Sequence, residues 1–206
     1  MAAGAAAGAG VAAGNGRVLQ ASPWIRRFTE LVPAGSTVLD VACGAGRHMQ
    51  WFAAQGYPVL GVDRNAEALA TACQYGEVLQ ADLEDGSPWP LPGRQFGAVV
   101  VTNDLWRVVF PSLFDSVQPG GVLLYETFAA GNETVGRPSN PEFLLQPGEL
   151  LQRVAAAGPQ WRVIAYEDGF EADPEHFVQR IAAVRTVTTD ADAEAPTRYP
   201  LQSGLL

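Results

Sequence analysis

Three acidic residues and two glycines stand where they could hold a charged small molecule. In VLDVACGAGRHMQWF, an apolar run reaches Asp40, Gly44 and Gly46 follow, and a second apolar run ends on Asp63. Glycines allow a tight turn and close approach of backbone to ligand. An acid closing the second strand of a βα unit can accept both hydroxyls of a ribose. ADLED places Asp82 and Leu83 after a third short strand, and Thr102 and Asn103 follow a fourth.

Nicotinamide dinucleotides use similar geometry, so the loop alone does not choose between ligands. A dinucleotide fingerprint, G-x-G-x-x-G or alanine at the last position, wants a third small residue three places after the second glycine, to seat a pyrophosphate on the helix. Here the run is GAGRHM. Met49 would crowd helix against strand, and Asp40 would repel a pyrophosphate while suiting a cation such as a sulfonium with an α-amino group.

These residues resemble the first motif of the class I S-adenosylmethionine-dependent methyltransferases: two hydrophobic residues, Asp, x, Gly, Cys, Gly, x, Gly. The likeness runs over roughly Trp24 to Thr186 and departs at Ala42, where glycine is commoner. GAGRH and the small size look most like the branch of tellurite-resistance and thiopurine methyltransferases. The resemblance implies S-adenosyl-L-methionine as cofactor. Asp40 and the Cys43 to Gly46 backbone would hold its methionine portion, Asp63 its ribose, and Arg64 would lie beside the adenine. Asp82 would meet the adenine amino group and Leu83 the ring, with Thr102 and Asn103 at the sulfonium.

Other readings stand beside these. Asp82 could be a turn residue before Gly86. Cys43 reads as packing, since no activating partner is identifiable. His48 and His176 default to structural roles. On the acceptor side, Trp106 and Arg107 follow the fourth strand, and Glu126 and Tyr125 end the fifth, where they could assist a hard nucleophile. The long segment ETFAAGNETVGRPSNPEFLLQPGEL could be a lid, in which Arg137 binds an anionic group and Asn140 offers an amide, or GRPSNP could simply fix a proline turn. No metal site is read. Methyl transfer needs alignment and water exclusion more than acid-base groups, so no catalytic residue is assigned.

The elements that must position these residues follow from periodicity. Ser22 caps a helix starting at Pro23, with Trp24, Ile25, Phe28 and Leu31 on one face. Strands are expected at Thr37 to Ala42, Tyr57 to Asp63, Glu77 to Gln80, Phe96 to Val101, and in GVLLYET after a QPGG turn. Between them, helices pass through Met49 to Ala53, from Asn65 through Cys73, and over Asp104 to Val117; SPWPLPG leaves no helix before the fourth strand. A helix starts at Pro147 and ends at Gly158, and Trp161 to Tyr166 and Phe177 to Val187 form a closing pair around EDGFEADPEH. The expected fold is α/β: a Rossmann-like, doubly wound, mostly parallel seven-stranded sheet whose last two strands form an antiparallel hairpin.

The chain of 206 residues fits one such domain, 22–187, between a flexible Ala/Gly-rich tail at 1–21 and an acidic, loop-like tail at 188–206. Every one of its 13 basic residues is arginine, against 22 acidic ones, for a net charge of -9. That disfavours nucleic acid and leaves a small-molecule methyl acceptor as the expected partner. Two unpaired cysteines and no long apolar run predict a cytoplasmic protein without a membrane span. The rivals to a methyltransferase are a non-catalytic S-adenosylmethionine-binding sensor or scaffold, and a short NAD(P)-dependent oxidoreductase, the latter opposed by Met49 and the lack of lysine.

Overall fold

In the computed structural model, which describes residues 20–187 and 197–201, seven strands form one sheet in the order β3-β2-β1-β4-β5-β7-β6. The central strands β1 (Val38–Val41), β2 (Val59–Asp63) and β4 (Phe96–Thr102) are almost continuously apolar because helices cover both faces. All five of the first strands, with β3 (Glu77–Gln80) at one edge and β5 (Val117–Phe128) on the other side, run parallel. Alternate residues feed two cores. Leu39, Val41, Val99, Val101, Leu123 and Tyr125 meet α4 (Phe110–Asp115) and α5 (Glu149–Ala156). Val38, Ala98, Val100, Val122 and Leu124 meet α1 (Pro23–Arg27), α2 (Arg47–Ala54) and α3 (Ala66–Ala72).

The local signals behave as their chemistry requires. Ser22 Oγ accepts from Trp24 N–H, Pro23 is the first helical residue, and Asn65 caps α3 through the Glu67 and Ala68 amides. Gly56, at φ 84°, turns the chain after α2. The hairpin β6 (Trp161–Ala172) and β7 (Glu175–Arg185) is antiparallel, with β7 inserted between β5 and β6.

Four expectations are adjusted. QPGG does not interrupt β5: Val117 already pairs with Phe96, and the extra residues are absorbed as a register shift. The helix expected over Asp104 to Val117 contracts to a 3-10 turn at Arg107–Val109 and α4. The helix expected from Pro147 starts at Glu149, because Gly148 takes a left-handed conformation before it. EDGFEADPEH is almost all strand, since pairing between β6 and β7 continues to Ala172 and Glu175. The tails fall mainly outside the described residues; of the second, Leu201 returns to accept from Arg27. No described helix is long and apolar enough to cross a membrane.

Candidate cofactor and acceptor site

The parallel strands all end on one side, and the loops there build a cleft of about 180 Å3. Its lining includes Ala42, Asp63, Arg64, Asp82, Leu83, Asp104 and Trp106. Sequence spacing had separated these residues; the sheet order, with β1 between β2 and β4, brings them together.

Asp63 organises the loop. Its Oδ2 accepts from Gly44 N–H and its Oδ1 from Asn65 N–H, both at 2.8 Å, tying the glycine turn to the start of α3. Gly46 is required by packing: a Cβ there would meet Ala72 Cβ at 3.0 Å. The crowding that Met49 should cause is relieved across the strand by Gly61, over which the Met49 and Cys43 sulfurs lie. Cys43 is therefore packing, and burial pushes its thiol well above the ordinary range. Ala42 adopts φ 54°, which explains why glycine is commoner at this position.

Asp82 serves a turn and the cleft at once, because Oδ1 accepts from Glu84 N–H while the residue lines the wall. Asp104, which sequence reasoning passed over, is pushed up to about 6 by burial, then by Glu84 and Asp63, with Arg64 opposing. Arg64 lies 3.4 Å from Glu84. Four carboxylates against one arginine make the cleft a place for hydrogen-bond donors and cations, not for a pyrophosphate.

Asp40 lies beneath the loop, wholly buried, and its Oδ2 has no hydrogen-bond partner among the described residues. Burial pushes it up to about 7, against the pull of Arg47 and a bond from the Met49 amide. An orphaned, desolvated carboxylate oxygen is costly unless a ligand completes it. Arg47 is the second residue missed from sequence. Its Nη2 donates to Thr102 Oγ1 at 3.4 Å, so one guanidinium joins the glycine loop to the end of β4.

His48 is buried and structural. Its Nε2 accepts from Ser22 N–H at 3.2 Å, leaving the proton on Nδ1 beside Thr102 Oγ1, and burial depresses it to about 3. Asn103, at φ 55°, donates its N–H to the Glu126 carbonyl. Glu126 itself is buried between Ser22, whose hydroxyl donates to Oε2 at 3.0 Å, and Arg180.

Of the acceptor-side candidates Trp106 lines the cleft, whereas Glu126, Arg107, Asn140 and Arg137 do not. Arg107 turns away from Trp106 to pair with Glu149 through Nε and Nη2, both at 2.9 Å, and donates to the Glu142 and Leu144 carbonyls. Asn140 spends its side chain capping the turn Pro141–Phe143. Arg137 is exposed and precedes a cis peptide to Pro138. The expected lid is thus anchored at its base: Asn132 is buried, donates to Pro138 O and accepts from Phe177 N–H. Buried Leu144 and Leu145 pin its far end.

A seven-stranded sheet of this order, with a glycine loop after β1 and acids after β1 and β2, defines the class I S-adenosylmethionine-dependent methyltransferase fold. Residues 38–121 match the family model described as a methyltransferase domain, which together with the relatives below supports S-adenosylmethionine-dependent methyl transfer. A curated relative is the dTDP-3-amino-3,4,6-trideoxy-alpha-D-glucopyranose N,N-dimethyltransferase of Streptomyces venezuelae. It is 26% identical over 79% of this chain and 72% of its own length. A solved S-adenosylmethionine-dependent methyltransferase of Methanosarcina mazei shares the fold with a TM-score of 0.63 at 16% identity, covering 82% of this chain and all of that one. TehB of Haemophilus influenzae gives 0.59 at 18% identity, over 77% of this chain and 60% of its own. At such identities these two structures carry the fold and not an acceptor. The oxidoreductase reading is set aside.

Proposed function

We propose that residues 22–187 act as one catalytic domain that transfers the methyl group of S-adenosylmethionine to a small-molecule nitrogen, in a cytoplasmic setting. The observation that carries the cofactor assignment is the unpartnered Asp40 oxygen under the glycine loop. In this reading Asp40 takes the α-ammonium, Arg47 the carboxylate, and the Cys43 to Gly46 backbone lies along the methionine chain. Asp63 turns its remaining lone pairs to the ribose. Arg64, Asp82, Leu83, Asp104 and Trp106 enclose the adenine, and Thr102 and Asn103 border the sulfonium.

Bound there, the cofactor supplies an electrophilic methyl group. The chain's own residues align the donor and exclude water from the loop, and no described residue is needed as a strong base. A nitrogen acceptor is supported by the Streptomyces relative, named for an amino-sugar N,N-dimethylation, and by the name of a structural neighbour, the glycopeptide N-methyltransferase MtfA. The net charge of -9 favours a small acceptor over a polynucleotide.

Calorimetric titration with S-adenosylmethionine tests the cofactor assignment. Asp63→Ala removes the ribose acceptor and a loop tie, and should weaken binding by about a hundredfold or more. Unchanged affinity removes Asp63 from the site, and no wild-type binding overturns the whole assignment.

A further inference from the structure

We propose that Glu126 is the acceptor-binding carboxylate, and that the acceptor is an amine attached to an apolar or aromatic body. This rests on the reading above, which puts the methyl group at the end of β4. Glu126 lies on β5 directly beside it: it is in register with Thr102, and its carbonyl takes the Asn103 amide.

Its carboxylate is unevenly used. Oε2 takes the Ser22 hydroxyl and lies 2.7 Å from Arg180 Nε, in an ion contact without hydrogen-bond alignment, whereas Oε1 accepts no hydrogen bond among the described residues. The residue is only 8% exposed, and Oε1 keeps an open side at which a ligand can bind. The charges around it do not close either. Glu126, Glu167 and Glu171 face two guanidiniums, Arg180 and Arg27, and His176 stands 3.1 Å from Glu171. Each carboxylate touches an arginine, but three carboxylates share two guanidiniums, and this excess of acidic groups suits an incoming cation.

The neighbouring surface supplies the rest of the specificity. Phe128 lies two residues beyond Glu126 on the same face of β5, and meets His176 edge-on at 6.1 Å. Across the strands Phe128 pairs with Val178 and then Gly169, above which a Cβ would meet nothing. A flat apolar body can rest there with its nitrogen at Glu126.

The step then balances without a strong base. The amine arrives as an ammonium and gives up one proton to solvent; its freed lone pair then forms the N–C bond while the C–S bond breaks and its electron pair goes to sulfur. Positive charge passes from sulfur to nitrogen, where the fixed carboxylate of Glu126 stabilises it as it develops. The new ammonium gives up its proton to solvent afterwards.

The test uses protein saturated with S-adenosylhomocysteine, so that failure of the cofactor site is seen first and separately. Binding of 2-phenylethylamine and of 2-phenylethanol is measured by calorimetry, and methylation of the amine is followed with labelled S-adenosylmethionine. We expect the amine to bind at least about tenfold tighter than the alcohol, and Glu126→Gln to lower its affinity and its kcat/KM about ten- to hundredfold with cofactor affinity unchanged. Phe128→Ala, remote from the ion pair, should weaken 2-phenylethylamine but not methylamine. The proposal is overturned if the amine binds no better than the alcohol. It is overturned equally if a folded Glu126→Gln keeps wild-type kcat/KM, or if Phe128→Ala affects both amines alike.

Discussion

Asp40 couples cofactor affinity and stability to pH with opposite signs. Its carboxyl is wholly buried and titrates near 7 in the ligand-free protein, against 3.8 for an ordinary aspartate. Only the ionised form can meet an ammonium. For a group titrating near 7, the ionised fraction falls from about nine-tenths at pH 8 to about one-tenth at pH 6, so the Kd for S-adenosylhomocysteine should rise about tenfold over that span. Stability moves the other way. A carboxyl raised on folding contributes stability that is present at low pH and lost as pH rises through its folded value. Between pH 8 and pH 5 the ligand-free protein therefore gains about 2 to 3 kcal/mol from Asp40. Asp104, raised to about 6, adds in the same direction. Glu149, held down to about 2 in spite of its burial by Arg107, Arg153 and the Gln146 amide, acts in the opposite sense, but only as pH falls toward the ordinary glutamate range. Calorimetric titrations and thermal melts at pH 5, 6, 7 and 8 read both effects. Asp40→Asn should bind weakly with a flatter pH dependence, and should melt about 5 °C or more above the wild type at pH 8. A flat wild-type Kd, or an Asp40→Asn protein with the wild-type slope, would refute the reasoning.

Two stability predictions test the packing of the glycine loop. Gly61→Ala sets a methyl group against the Met49 sulfur and within 2.7 Å of Cys43 Sγ. It should cost about 1 to 3 kcal/mol in denaturant unfolding and weaken cofactor binding through α2; a neutral effect would show that the two sulfurs move aside freely. Ala42→Gly, at φ 54°, should be neutral to about 1 kcal/mol stabilising, because the relief of left-handed strain offsets the greater freedom of the unfolded chain. A loss of about 1 kcal/mol, usual for this substitution elsewhere, would mean that the loop bears no strain at Ala42.

The cofactor side was legible because it is local. Strand, glycine turn and helix follow one another from Val38 to Ala54, and two of the acids that line the cleft, Asp63 and Asp82, fall at or just after a strand end, so periodicity located them. Even there, two things needed the third dimension. Gly61 was visible in YPVLGVD, but its duty to Met49 depends on α2 crossing β2. Asp104 stands two places after Thr102, and only the fold turns it back toward Asp63 and Glu84.

The acceptor side was poorly legible for the converse reason: its partners are far apart in sequence and alike in residue type. Nothing local distinguishes Arg107, which satisfies Glu149 and two carbonyls 35 and 37 residues away, from Arg180, which lies against Glu126. Loop length suggested a lid, yet a single buried Asn132 bonded to Phe177 and Pro138 makes the base of that loop part of the scaffold. The same logic explains the economy of the site. A methyl donor that is already activated asks the protein for position and charge, and both come from main-chain turns and carboxylates fixed at strand ends. The proposed acceptor residues then lie on the β5-β7-β6 side of the sheet, apart from the glycine loop. On that side the long-range pairing of Glu126 with Arg180 and Ser22 holds the carboxylate in place, so under the proposed acceptor site substitutions around Phe128 and Gly169 should alter the acceptor without disturbing the cofactor.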